Sequence, residues 1–169
     1  MLNQHRFDSE KTLETLVYIA LRCNNMYNLL KVLYFADKLH LEKYGRQISG
    51  DSYVAMSHGP VPSGMYAMIK FVRDDGFMAS KLPLQESFAV KGYMVIPLRA
   101  PDTTLLSESD LECLDEAIEK YGKLSFSKLK ALSHDAAYKS ADENDFISLD
   151  SLAHSLPDGE KIIEELMAE

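Results

Sequence analysis

The sequence predicts an α+β fold: a mostly helical single domain with a small antiparallel β-sheet or hairpin inserted between N-terminal and C-terminal helices. Three observations carry that expectation. Apolar residues recur at helical spacing towards both ends of the chain. Gly and Pro interrupt the spacing in the middle. The run from Phe88 to Ile96 is rich in strand formers on either side of a turn. A chain of 169 residues fits one domain and can bury a core without disulfides or metal.

Asp8 or Ser9 opens the first helix as its N-cap. Leu13, Leu16, Val17 and Ala20 then give it one apolar stripe. Asn24 and Asn25 break the pattern. A second helix follows from Met26 to Tyr44, carries Leu29, Leu30, Leu33, Tyr34 and Leu41, and stops at Gly45. Few of its middle residues are polar, so it is expected to be central and to touch neighbours on several sides. Leu29, Leu33 and Tyr34 are assigned to the core, with Lys31, Asp37 and Lys38 facing outwards.

Ile48 to Asp51 reads as a turn and Tyr53–Met56 as a short strand. His58-Gly59-Pro60-Val61-Pro62 cannot be helical. Pro62 or Ser63 opens a helix that carries Met65, Ile69 and Val72 and ends near Asp74, Asp75 and Gly76. The hairpin is expected to pivot at Lys91-Gly92, with Val90, Tyr93 and Val95 in its strands and Pro97 at its end.

Ser107 is an N-cap with Asp110 in a capping-box arrangement, flanked by the staple pair Leu106 and Leu111. Leu111, Leu114, Ile118 and Tyr121 continue that helix until Gly122, and Ser125 caps the next one between Leu124 and Leu129. Beyond His134 the signals weaken. Residues 142–145 read as a polar loop, Leu149 to His154 as a short helix, and Asp158 as the cap of a last helix with Ile162, Ile163, Leu166 and Met167. The expected organisation is a domain over residues 1–141 with a helical extension, 142–169, packed on it.

The 26 acidic residues outnumber the 18 Lys and Arg, for a net charge of -8. That balance disfavours free nucleic acid as a ligand and suits a basic protein partner. Lys120, Lys123, Lys128 and Lys130 come nearest to a basic cluster, but Glu116 and Glu119 precede them, as on a solvated face. Cys23 and Cys113 lack metal-type spacing and read as core thiols. The polar start has no signal-peptide core, and no apolar run approaches the ~20 residues of a membrane span, so the expected location is cytoplasmic.

No catalytic constellation assembles from these residues. Asp37 and His40 share a helix face and could hold a metal with Asp51 or His58, but the ligand-rich motifs of zinc enzymes are missing. His134 and Asp135 are adjacent and point too far apart to bond each other. Neither cysteine reads as an activated nucleophile. The expectation is a non-enzymatic protein without metal or cofactor. The turn from His58 to Pro62 has two readings: a structural corner, or a rigid loop beside the aromatic anchors Tyr53 and Tyr66.

The same residues carry a resemblance. Lys31-Val32-Leu33-Tyr34-Phe35-Ala36-Asp37 resembles the second-helix motif of the Panacea (SocA-like) antitoxin domain, which phage-associated GepA-like proteins share. The run from Gly45 through Ser52-Tyr53-Val54-Ala55-Met56 to His58-Gly59-Pro60-Val61-Pro62, with Tyr66, resembles its second block. Leu105-Leu106-Ser107 with its helix resembles the third, and Gly122 to Leu132 with His134 and Tyr138 the fourth. The last aromatic is commonly Trp in that family; here it is Tyr138, and the chain has no Trp.

The resemblance implies an antitoxin that neutralises a cognate protein toxin, encoded by a neighbouring gene, through direct binding. Toxin-binding or motif positions would be Lys31, Tyr34, Asp37, Tyr53, His58, Gly59, Pro60, Val61, Tyr66, His134 and Tyr138. A homodimer stays open. Two alternatives stand beside this reading. One is a DNA-binding autoregulator, in which the helices around Gly122 and the hairpin form a winged helix; its second helix offers Lys128 and Lys130 but no Arg, Asn or Gln for base edges. The other is a small metal-dependent hydrolase built on Asp37, His40, Asp51 and His58.

Overall fold

A computed structural model describes residues 6–73 and 81–168. The elements run α1 (Ser9–Ala20), α2 (Met26–Tyr44), β1 (Tyr53–Met56), β2 (Gly59–Pro62), α3 (Ser63–Val72), α4 (Leu84–Ser87), β3 (Phe88–Lys91), β4 (Met94–Pro97), α5 (Glu108–Tyr121), α6 (Phe126–Ser133), α7 (Ala136–Lys139), α8 (Leu149–His154) and α9 (Gly159–Ala168). The expected mostly helical α+β domain is therefore present, with two separate antiparallel hairpins, β1–β2 and β3–β4, where one small sheet was expected. The expected end of α3 at Asp74 to Gly76 lies outside the described residues; the helix itself is capped at Arg73.

The caps explain where the helices begin. The Asp8 carboxylate accepts from the Lys11 amide at 3.0 Å, and the Asn25 side chain accepts from the Asn28 amide at 3.2 Å. Gly45 ends α2 with φ 76, a left-handed conformation natural to glycine. The Ser107–Asp110 capping box forms in both directions, at 3.1 and 2.8 Å. Asp110 does more than cap. Fully buried, it also pairs with Lys11 at 2.7 Å and Arg46 at 3.1 Å. Burial alone would raise its pKa, but these partners hold it below the usual carboxylate value.

Helix α2 is central, as expected, because it divides the core into two clusters. On one side Leu29, Val32, Leu33 and Ala36 pack with α1, α3 and α5. On the other, Tyr34 and Leu41 meet Tyr53, Ala55, Leu152 and Ile162. Two of its polar residues depart from the sequence expectation: Lys31 is 1% exposed and Asp37 2%, so neither faces outwards.

The prolines near residue 60 exclude helix, as anticipated, but they do not prevent a strand. Ala55 and Tyr53 of β1 spend their outward amide and carbonyl groups on residues 144–147: Ala55 N to Asp145 O at 2.9 Å, Asn144 N to Ala55 O at 2.7 Å, and Ile147 N to Tyr53 O at 2.8 Å. Pro60 and Pro62 lie directly opposite these two residues in β2. They therefore occupy the positions whose amides would point away from β1, where a missing N–H costs nothing. Asn144 and Asp145, the end of the expected polar loop 142–145, together with Phe146 and Ile147 instead extend β1 on its far edge.

In the second hairpin the register pairs Lys91 with Met94, so the two-residue turn is Gly92-Tyr93, one position later than expected. Gly92 supplies the positive φ of 59. Tyr93 consequently leaves the strand and stands 76% exposed at the turn. Asp158 precedes α9 and its carbonyl accepts from Ile162 N at 3.1 Å, but with φ 57 it is left-handed rather than the extended cap expected. Cys23 and Cys113 are free and buried, as expected of core thiols, and burial pushes each to a pKa of about 11. Among the described residues, no helix is long and apolar enough to cross a membrane.

Candidate functional site

The first turn and a half of α2 places Met26, Tyr27, Leu30 and Lys31 along one face, since residues three and four apart are neighbours on a helix. Opposite them stand the β1–β2 turn with His58, then Val61 on β2 and Tyr66 on α3. Arg73 at the end of α3, Tyr93 from the second hairpin and Glu143 complete the wall. The pocket they line is open to solvent on one side and has a volume of about 400 Å³.

Lys31 is buried in this wall. Its Nζ donates to the Pro60 carbonyl at 2.9 Å and lies 4.6 Å from the centroid of the Tyr27 ring. No carboxylate among the described residues lies within ion-pair distance of it. Burial without a counter-charge pushes the amine down to a pKa of about 7. The Pro60 carbonyl is available because that residue faces away from β1. Gly59 is the other requirement: at φ 119, a Cβ there would come within 2.9 Å of Lys31 Cε and 2.7 Å of Ser133 Oγ.

The rim is aromatic. Tyr27 Oη donates to the His58 carbonyl at 2.7 Å, and its ring packs 4.5 Å from that of Phe126. The His58 ring meets Phe126 edge-on at 5.3 Å. His58 is exposed and Phe126 remains 46% exposed. Tyr66 is half-buried beneath Lys70, whose Nζ lies 4.8 Å from the ring centroid.

The structure thus sorts the eleven sequence-derived positions into three groups. Lys31, His58, Gly59, Pro60, Val61 and Tyr66 converge on the pocket or on the strand behind it. Tyr34, Asp37 and Tyr53 are interior. Asp37 accepts from the Ile48 amide at 2.7 Å and from the Tyr53 hydroxyl, and burial pushes its pKa up to about 7. At 1% exposure, Tyr53 is core rather than the surface anchor expected. His134 and Tyr138 form the third group, stacked at 4.1 Å, with Tyr138 Oη donating to Met56 O at 2.6 Å. Asp135 turns away from His134, caps α7, and accepts from Tyr34 Oη at 2.9 Å and Lys38 at 2.8 Å.

Of the four residues weighed for a metal site, Asp37, His40 and Asp51 are committed to hydrogen bonds in the interior, and the His58 ring stands apart from them against Phe126. His40 faces Arg46 O at 2.7 Å and Ser109 Oγ at 2.9 Å; Asp51 accepts from the Gly64 and Met65 amides at 2.8 and 3.0 Å. Among the described residues, no three His, Cys, Asp or Glu side chains converge as a ligand cluster. Sequence reasoning missed Tyr27, Phe126 and Tyr93. Tyr27 had a legible signal, four residues before Lys31 on the same helix. Phe126 was legible only as the residue after the Ser125 cap.

The fold and the site together define a small, mostly helical domain with a partly apolar pocket bordered by aromatic side chains. The family description "Antitoxin SocA-like, Panacea domain" matches residues 29–139, and the chain belongs to that family. Comparison with curated proteins and with solved structures found no match.

Proposed function

We propose that this protein is an antitoxin that neutralises a cognate protein toxin, the product of a neighbouring gene, by binding it directly through the face around the Lys31 pocket. The observation that carries the reading is the Tyr27–His58–Phe126 cluster, in which half-buried Tyr27 and exposed His58 line the pocket and exposed Phe126 packs on both. Clustered aromatics around a desolvated hollow are the usual source of binding energy in protein interfaces. The acidic remainder of the surface, at net charge -8, would steer a basic partner towards the chain. Residues 142–169 serve as an extension that completes the domain. The working location is the cytoplasm, where a toxin made beside it would be met. Catalysis has no part in this mechanism.

Co-expression with the neighbouring gene product tests it, with growth and co-purification scored together. A neighbour that is toxic alone, and harmless and bound when both are made, is the expected result. Rescue without a complex, or no toxic neighbour, would overturn direct neutralisation.

A further inference from the structure

Lys31 offers three N–H donors and has one hydrogen-bond acceptor, the Pro60 carbonyl, at 2.9 Å. Among the described residues, the charged and titratable groups that line the pocket with it are Glu143, Arg73, His58, Tyr27, Tyr66 and Tyr93, and its charge also acts on His134 at the end of α6. Met26, Leu30, Met56 and Val61 give the wall its apolar part, with Ser57 and Asn144 at its polar side. A buried ammonium with unspent donors beside an apolar hollow is half of a recognition site, and its complement is an anion carried on a hydrophobic group.

We propose that the pocket binds a carboxylate borne on an aromatic or apolar group, with Lys31 holding the carboxylate and the Tyr27–Tyr66 walls the apolar part. The group could come from the chain end of the protein partner or from a free small acid. The first source alone rests on the antitoxin reading. Because burial holds the empty-site amine near neutrality, the arriving carboxylate favours the ammonium, and binding takes up a proton above neutral pH. Affinity therefore falls as pH rises.

Two pairs of probes test this by calorimetric titration and NMR: phenylacetate against phenylacetamide, and N-acetylphenylalanine against its C-terminal amide. Each acid is expected to bind about ten-fold or more tightly than its amide, the scale of a charge-assisted hydrogen bond. Lys31→Met should abolish that preference. In the wild-type protein, a ¹³C label at lysine Cε should report a rise in the Lys31 pKa when acid binds; this readout does not depend on the variant folding. Tighter binding of N-acetylphenylalanine assigns the site to a chain end, and tighter binding of phenylacetate to a free acid. Equal binding of acid and amide, or no binding of either acid at roughly 10 mM, overturns the proposal. These probes need no toxin, so failure here is distinct from failure of the co-expression test.

Discussion

Replacing Lys31 by methionine should change how stability responds to pH, and the size of the change follows from burial. Folded, the amine titrates at about 7; unfolded, it returns to its ordinary value of 10.5. Between those values the unfolded chain holds a proton that the folded chain has released, so unfolding takes up a proton and stability rises with pH. At ~1.36 kcal/mol per pH unit at full difference, and with Lys31 half-titrated near pH 7, the gain from about pH 7 to about pH 8.5 is roughly 1–2 kcal/mol. Asp37, also near 7, loses a smaller stabilising contribution over the same interval, but it does so equally in both proteins. The thiols at about 11 titrate little there. Urea unfolding of wild type and Lys31→Met at several pH values isolates the lysine as the difference between two curves. Parallel curves would mean that Lys31 keeps its proton on folding, and the argument from burial would be wrong.

Phe126→Asp and His58→Asp should weaken partner binding by about ten-fold or more while leaving the thermal midpoint nearly unchanged, because both side chains lie at the surface. Full-strength co-purification of both variants would place the interface elsewhere. Gly59→Ala meets a φ of 119 and the Lys31 stem together, and a loss of about 2 kcal/mol or more is expected in denaturant unfolding. Tyr53→Phe deprives the buried Asp37 carboxyl of a donor and should cost about 1–3 kcal/mol, seen as a lower urea midpoint. Truncation after Ala141 removes Ile147, Leu152, Leu156 and Ile162 from the second core cluster, each worth about 1.5–3 kcal/mol of burial. That sum is comparable to the ~5–15 kcal/mol stability of a whole domain, so the shortened chain should fail to unfold cooperatively in calorimetry. A sharp transition at the wild-type midpoint would show that the extension is dispensable.

Helices were legible where caps and apolar spacing agreed: Asp8, Ser107 and Ser125 all occupy N-cap positions in the fold, and Asn25, read only as a break, caps α2. The β1–β2 hairpin was half legible. Its second strand is hidden by the prolines, which forbid helix in any reading and reveal a strand only once β1 is known to pair on its other side. That other side comes from residues 144–147, about ninety positions later, and no local signal in Glu143-Asn144-Asp145 announces the pairing. Lys31 misled for a related reason. Charge normally means exposure, and only the tertiary approach of Gly59 and Pro60 places an acceptor where a lysine at that helix position can end. Of the pocket and its surroundings, the sequence resemblance marked Lys31, His58, Val61 and Tyr66; Tyr93 from the second hairpin and Phe126 beside Tyr27 join them only on folding.

The prolines of β2 also govern how another chain can approach. Along the outer edge of that strand the backbone presents no hydrogen-bond donor at residues 60 and 62, and the Pro60 carbonyl is already occupied by Lys31. An incoming strand would find no ladder to join. This edge is therefore closed both to self-association by strand addition and to partners that bind by extending a sheet, and recognition on this side of the protein falls to side chains and to the shape of the hollow beside them.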